Sequence, residues 1–231
     1  MLIDIKLTPV SFCQTICNFV SLSQTQLNEM SNEANIPQND AVRLSILEAA
    51  RELFTRYGYK KTTMEDIAQA LGKGKSSLYY YFKNKEEIFQ AVIDGEEEIL
   101  FSKLRAVVDS QLNPQEKMRK YVEVRMETLR ELENYHKAIS DDMIAGFDFL
   151  DHMKGRSEKE ETALIKEILD EGIKTEVFMV KNSQLAAFAI STALKGLEIP
   201  LFRSPEAKNF EDLKGQISNV LNILFYGLMK R

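Results

Sequence analysis

Beyond Asp40 almost every segment repeats its apolar residues at intervals of three and four, and no stretch sustains the alternation of a half-buried strand. That period predicts an all-α chain of roughly nine helices. Val42, Ile46, Ala49, Ala50, Leu53 and Tyr57 line one face of a first helix, and Gly58 follows as its left-handed C-terminal residue. Thr62 or Thr63 caps a short second helix, with Glu65 and Asp66 placed as in a capping box; it ends at Leu71, before Gly72. A third short helix covers about residues 75–81, and Asn84 with Glu87 opens a long fourth. Asn113-Pro114 opens a helix to about Asn134, and another is expected over residues 136–153. Gly155 and Arg156 then punctuate, Ser157 with Glu160 opens a helix to about Phe178, and Asn182 opens one ending near Pro200. The last begins at Asn209 and reaches about Lys230, while the acidic run 96–98 reads as a solvated helix face.

A chain of 231 residues, 44% hydrophobic and 28% charged, buries a core without disulfide or metal staples and lies outside the composition of disorder. Its net charge of -5 is unevenly distributed. Residues 40–93 carry nine Lys or Arg against seven Asp or Glu, whereas residues 94–231 carry twenty against twenty-five. A mildly basic head on an acidic body suits a protein that docks one end on phosphate. Cys13 and Cys17 are the only cysteines, which fits a reducing compartment, and no apolar run is long enough to span a bilayer. A cytoplasmic protein without a membrane partner is therefore expected. The apolar patches of the first 30 residues, interrupted by Gln14, Thr15 and Asn18 and with Lys6 as the one basic residue, make a poor signal peptide. Residues 1–40 read as a flexible, dispensable extension in which Met30 offers an alternative start.

The informative residues lie between Ile67 and Phe82. Two helices crossing steeply need a small residue at their closest approach, supplied by Ala68; the turn needs positive φ, supplied by Gly72; Leu78 closes the small core with Ile67 and Leu71. The segment from Lys73 to Lys85 is too polar on one side to be core alone, and Tyr79, Tyr80 and Tyr81 cannot all face one core on a helix. It has the character of a recognition helix, whose first residues enter the major groove while hydroxyls and lysines grip phosphate; Phe82 reads as packing.

Ile46-Leu47-Glu48-Ala49-Ala50-Arg51-Glu52-Leu53-Phe54, Tyr57-Gly58-Tyr59, Thr62-Thr63-Met64-Glu65-Asp66-Ile67-Ala68 and Leu78-Tyr79-Tyr80-Tyr81-Phe82-Lys83-Asn84-Lys85-Glu86-Glu87 together resemble the N-terminal domain of the TetR (tetracycline repressor) family. The resemblance covers residues 42–92. It implies operator contacts from Thr63, Lys75, Ser76, Ser77, Tyr79, Tyr80, Tyr81 and Lys85, with Tyr81 and Lys85 on phosphate. Lys73 and Gly74 depart from the family's usual apolar residue and serine, which weakens the cap of the third helix. By the same resemblance residues 41–92 form a three-helix helix-turn-helix domain, and residues 93–231 a helical domain that binds a ligand and dimerises.

Dimerisation also has support in the residues themselves. Leu185, Phe188, Ala189 and Leu197, and likewise Ile217, Leu221, Leu224 and Phe225, spread over more of their helices than one subunit can cover. Tyr121, Met126, Tyr135, Met143, Phe147, Leu150 and Phe178 are candidate lining for an adaptable apolar pocket, although most such residues serve as core. Gly95, inside the fourth helix, is a candidate flex point. The expected protein is a ligand-responsive regulator, a repressor that binds a near-palindromic DNA operator as a homodimer and is released by a small apolar or amphipathic effector.

Rival chemistries fail on spacing. Gly74-Lys75-Ser76 lacks the earlier glycine of a phosphate loop, Gln69 standing in its place. Glu133 with His136 has no second copy to complete a di-iron site, and His152 beside Asp148 and Asp151 reads as a polar helix end. Cys13 and Cys17 have no further soft ligands for zinc. With two histidines and no nucleophile motif, neither an enzyme nor a cofactor or metal site is expected. The serious alternative is a protein-interaction module that keeps this fold with DNA binding secondary or lost.

Overall fold

A computed structural model describes residues 38–132, 134, 148–203, 215, 219, 222 and 223. Among these residues the chain forms seven helices and no strand: α1 (Gln38–Tyr57), α2 (Met64–Ala70), α3 (Lys75–Tyr81), α4 (Lys85–Val108), α5 (Pro114–Glu131), α6 (Asp148–Lys174) and α7 (Ser183–Arg203). Packing divides them into two compact units, one ending at Ile99 and including Asn134, the other beginning at Leu100.

In the first unit, α1 buries Ile46, Ala50 and Phe54, a stripe at intervals of four. Phe54 occupies the core position expected of Leu53 and Tyr57; Tyr57 is 49% exposed, with the Arg56 guanidinium carbon 5.3 Å from its ring centroid.

 The Phe89 ring of α4 meets Phe54 edge-on at 5.2 Å and Tyr59 at 4.7 Å, an aromatic cluster that fixes the turn after α1. Gly58 takes φ 80 and Gly72 takes φ 62, as the turns after α1 and α2 require. After α2 the Lys73 N–H donates to Ala68 O at 2.9 Å and the Gly72 N–H to Gln69 O at 3.0 Å, a Schellman ending that redirects the chain into α3.

The acidic run departs from its expected solvated face, because Glu96 and Glu97 are buried. Asn134, also buried, donates from Nδ2 toward Glu96 Oε1 at 3.0 Å and Thr55 Oγ1 at 2.8 Å. A buried carboxylate needs such a donor, and this one comes from a distant part of the chain.

In the second unit, α5 and α6 pack together and α7 packs on both. Asn113 and Glu116 form the capping box that starts α5, with Pro114 at its first turn. Contrary to expectation, Gly155 and Arg156 do not separate two helices but lie within the 27 residues of α6, and Ser157 is a buried side chain inside that helix. A glycine costs a helix about 1 kcal/mol, too little to break one whose flanks keep the period and bury a stripe. α6 stops at Lys174, before the expected Phe178, where Glu176 takes φ 58 and the Val177 N–H donates to Gly172 O at 2.8 Å. The Asn182 side chain accepts from Leu185 N at 3.0 Å to start α7, which continues past Pro200 to Arg203. No helix among the described residues is long and apolar enough to cross a membrane.

Candidate DNA-binding site

Thr63 and Asp66 close the start of α2 reciprocally. Asp66 N–H donates to Thr63 Oγ1 at 3.2 Å, and Asp66 Oδ2 accepts from the Thr63 hydroxyl at 2.7 Å and its N–H at 2.8 Å. Those hydrogen bonds hold the Asp66 carboxyl below its ordinary value. Gly74, by contrast, gives α3 no side-chain cap.

Within α3 only Leu78 is buried, so one side chain anchors the helix and the rest of its surface is available. Lys75, Ser76 and Ser77 are exposed, Tyr79 is 47% and Tyr80 75% exposed, and Tyr81 is half-buried with its ring edge-on to Tyr80 at 5.0 Å. Phe82 is buried beneath the Arg43 guanidinium, as its packing role requires. The α3 residues and exposed Thr63 therefore belong to one small helix-turn-helix, on solvent-facing positions.

Two lysines have partners that the sequence did not announce. Lys75 pairs with Glu65 of α2, and this hydrogen bond raises the lysine and lowers the carboxylate from their ordinary pKa values. Because both groups are exposed, the pair is weak and exchangeable for another acceptor. Lys85 Nζ donates to Tyr59 O at 2.7 Å and Thr62 O at 2.8 Å, and stands 4.2 Å from the Tyr59 ring centroid. Partial burial lowers its pKa. Expected on phosphate, it already ties the start of α4 to the α1–α2 turn, with one ammonium N–H left over.

Of the candidate pocket residues, Tyr121 and Met126 are buried in the second unit, and Phe178 is half-buried with its ring against Gly172. Leu150 lies in α6 with its side chain outside the described residues, as do Tyr135, Met143 and Phe147 entirely. Of the candidate dimer residues, Leu185 is 63% and Phe188 47% exposed, and Ala189 is exposed on the same helix. Leu197 lies in α7 with its side chain outside the described residues, which also exclude Ile217, Leu221, Leu224 and Phe225. No group of three or more metal-binding side chains occurs among the described residues.

Residues 46–92 match the family model for bacterial regulatory proteins of the tetR family. The chain is 28% identical over 149 residues to the uncharacterised HTH-type transcriptional regulator YhgD of Bacillus subtilis, covering 63% of this chain and 76% of that protein. It is 32% identical over 102 residues to the HTH-type transcriptional repressor KstR2 of Mycobacterium tuberculosis, covering 44% of this chain and 50% of that one. A transcriptional regulator from Cytophaga hutchinsonii superposes with a TM-score of 0.67 at 29% identity, over 78% of this chain and 94% of the other. Family model, relatives and fold agree on the head, and residues 46–92 are a helix-turn-helix domain of the tetR type found in bacterial regulatory proteins.

Proposed function

We propose that the protein is a homodimeric repressor that reads a near-palindromic operator through α3 and is released by a small apolar or amphipathic effector. The observation that carries this reading is the outer surface of α3: Lys75, Ser76, Ser77, Tyr79 and Tyr80 are exposed around a single buried anchor, Leu78. A lysine suits the guanine acceptors and a tyrosine ring the thymine methyl, while Thr63, Ser76, Ser77, Tyr81 and Lys85 supply phosphate donors. In this reading residues 41–92 are the DNA-binding head, residues 93–231 the sensing and dimerisation body, and residues 1–40 an extension.

The exposed Leu185, Phe188 and Ala189 of α7 support a dimer, since two large apolar side chains close together on one helix favour burial against a second copy. An effector acts only through its differential affinity for the DNA-bound and released states. Selection of the full-length protein's binding sites from random duplexes tests the reading. Enrichment of a two-fold symmetric sequence with half-sites about one helical turn apart is expected; recovery of unrelated sequences would overturn it.

A further inference from the structure

The interior of the second unit contains polar side chains on three helices. Tyr121 and Arg125 lie four residues apart on one face of α5, Glu161 and Thr162 are neighbours on α6, and Ser191 comes from α7; all five are buried, Tyr121 at 0% exposure. Arg125 Nε donates to Glu161 Oε1, and the Ser191 hydroxyl donates to Glu161 Oε2 at 3.1 Å. The hydroxyls of Tyr121 and Thr162 make no hydrogen bond among the described residues. Buried residues on the same helices are otherwise largely apolar, among them Val122, Met126, Ile165 and Leu194. An all-apolar interior packs these helices without the desolvation cost of five polar groups, so packing alone gives no reason for them.

We propose that Tyr121 and Thr162 anchor the effector by donating hydrogen bonds to an acceptor oxygen, a carbonyl or carboxyl group, on a ligand whose remainder is hydrocarbon. The inference rests on the effector-released reading above and names the chemistry of that site. Burial, followed by the nearby Glu161 charge, holds the Tyr121 phenol well above its ordinary pKa, so it remains a donor. Glu161 accepts on both oxygens already and offers little to a cationic head. The chain of hydrogen bonds from Arg125 through Glu161 to Ser191 ties together α5, α6 and α7, the first two of which carry Tyr121 and Thr162.

The test uses the full-length protein with Tyr121→Phe, Thr162→Val and Thr162→Ser variants. Its probes are 2-decanone, sodium decanoate and, as the hydrocarbon control, n-decane. Calorimetric titration should show an oxygenated probe binding wild type and Thr162→Ser roughly tenfold more tightly than Tyr121→Phe or Thr162→Val. n-Decane should not distinguish the four proteins. Without probe, Tyr121→Phe should melt at or above the wild-type temperature, because an unpartnered hydroxyl has no bond to lose. A clear fall in that temperature, equal binding of the oxygenated and hydrocarbon probes, or binding of none of them would overturn the proposal. Titration is carried out without DNA, so failure of wild type to bind a selected duplex sinks the regulator reading separately.

Discussion

Lys85 shows how one side chain changes its meaning between sequence and structure. Its position suggests a phosphate contact, but its ammonium is bonded to Tyr59 O and Thr62 O. Lys85→Ala should therefore both weaken binding to every duplex, lowering the salt slope by about one, and destabilise the head by about 1 to 3 kcal/mol. Urea unfolding beside salt-dependent anisotropy separates the two effects; unchanged stability would remove the structural role. Asp66 supplies a test with a defined pH direction. Its folded pKa lies below 3.8, so the cap contributes fully above that value and its contribution fades as pH falls through the lowered folded pKa. The melting advantage of wild type over Asp66→Asn should accordingly shrink below pH 3.8, and an advantage constant with pH would contradict the cap. Thr63, Asp66, Gly58 and Gly72 were readable because each acts within a few residues of itself. Lys85 and the Lys75–Glu65 pair were not, because their partners are set by folding.

At the scale of elements, local stop signals competed with tertiary packing. Gly155 and the Ser157–Glu160 spacing look like a boundary, yet α6 passes through them with Ser157 turned inward. Gly155 is exposed, and beyond its chain neighbours and the adjoining helix backbone no described atom stands within 4 Å of where a Cβ would be. Gly155→Ala should therefore stabilise the chain by about 1 kcal/mol, read from the urea midpoint; destabilisation would mean that the glycine is needed as a break. The end of α6 was misplaced for the opposite reason, since Glu176 takes the left-handed position usually held by glycine and gives no sequence signal. Caps at Asn113 and Asn182 were readable because an asparagine side chain meets the backbone three residues on.

For the whole molecule, the proposed function needs a head that binds DNA and a body that dimerises and senses. The exposed α7 residues give the dimer a direct test: Leu185→Asp with Phe188→Asp leaves buried side chains untouched and should shift the light-scattering mass from dimer to monomer at micromolar concentration. A wild-type monomer under those conditions would count against the dimer. The central claim is that α3 reads bases, and the measurement closest to it is anisotropy of the full-length protein on a selected duplex and on a scrambled one. Lys75→Ala and Tyr79→Ala should each cost about 1 to 3 kcal/mol on the selected duplex and much less on the scrambled duplex. Equal losses on both would contradict base reading and make the head a non-specific phosphate clamp.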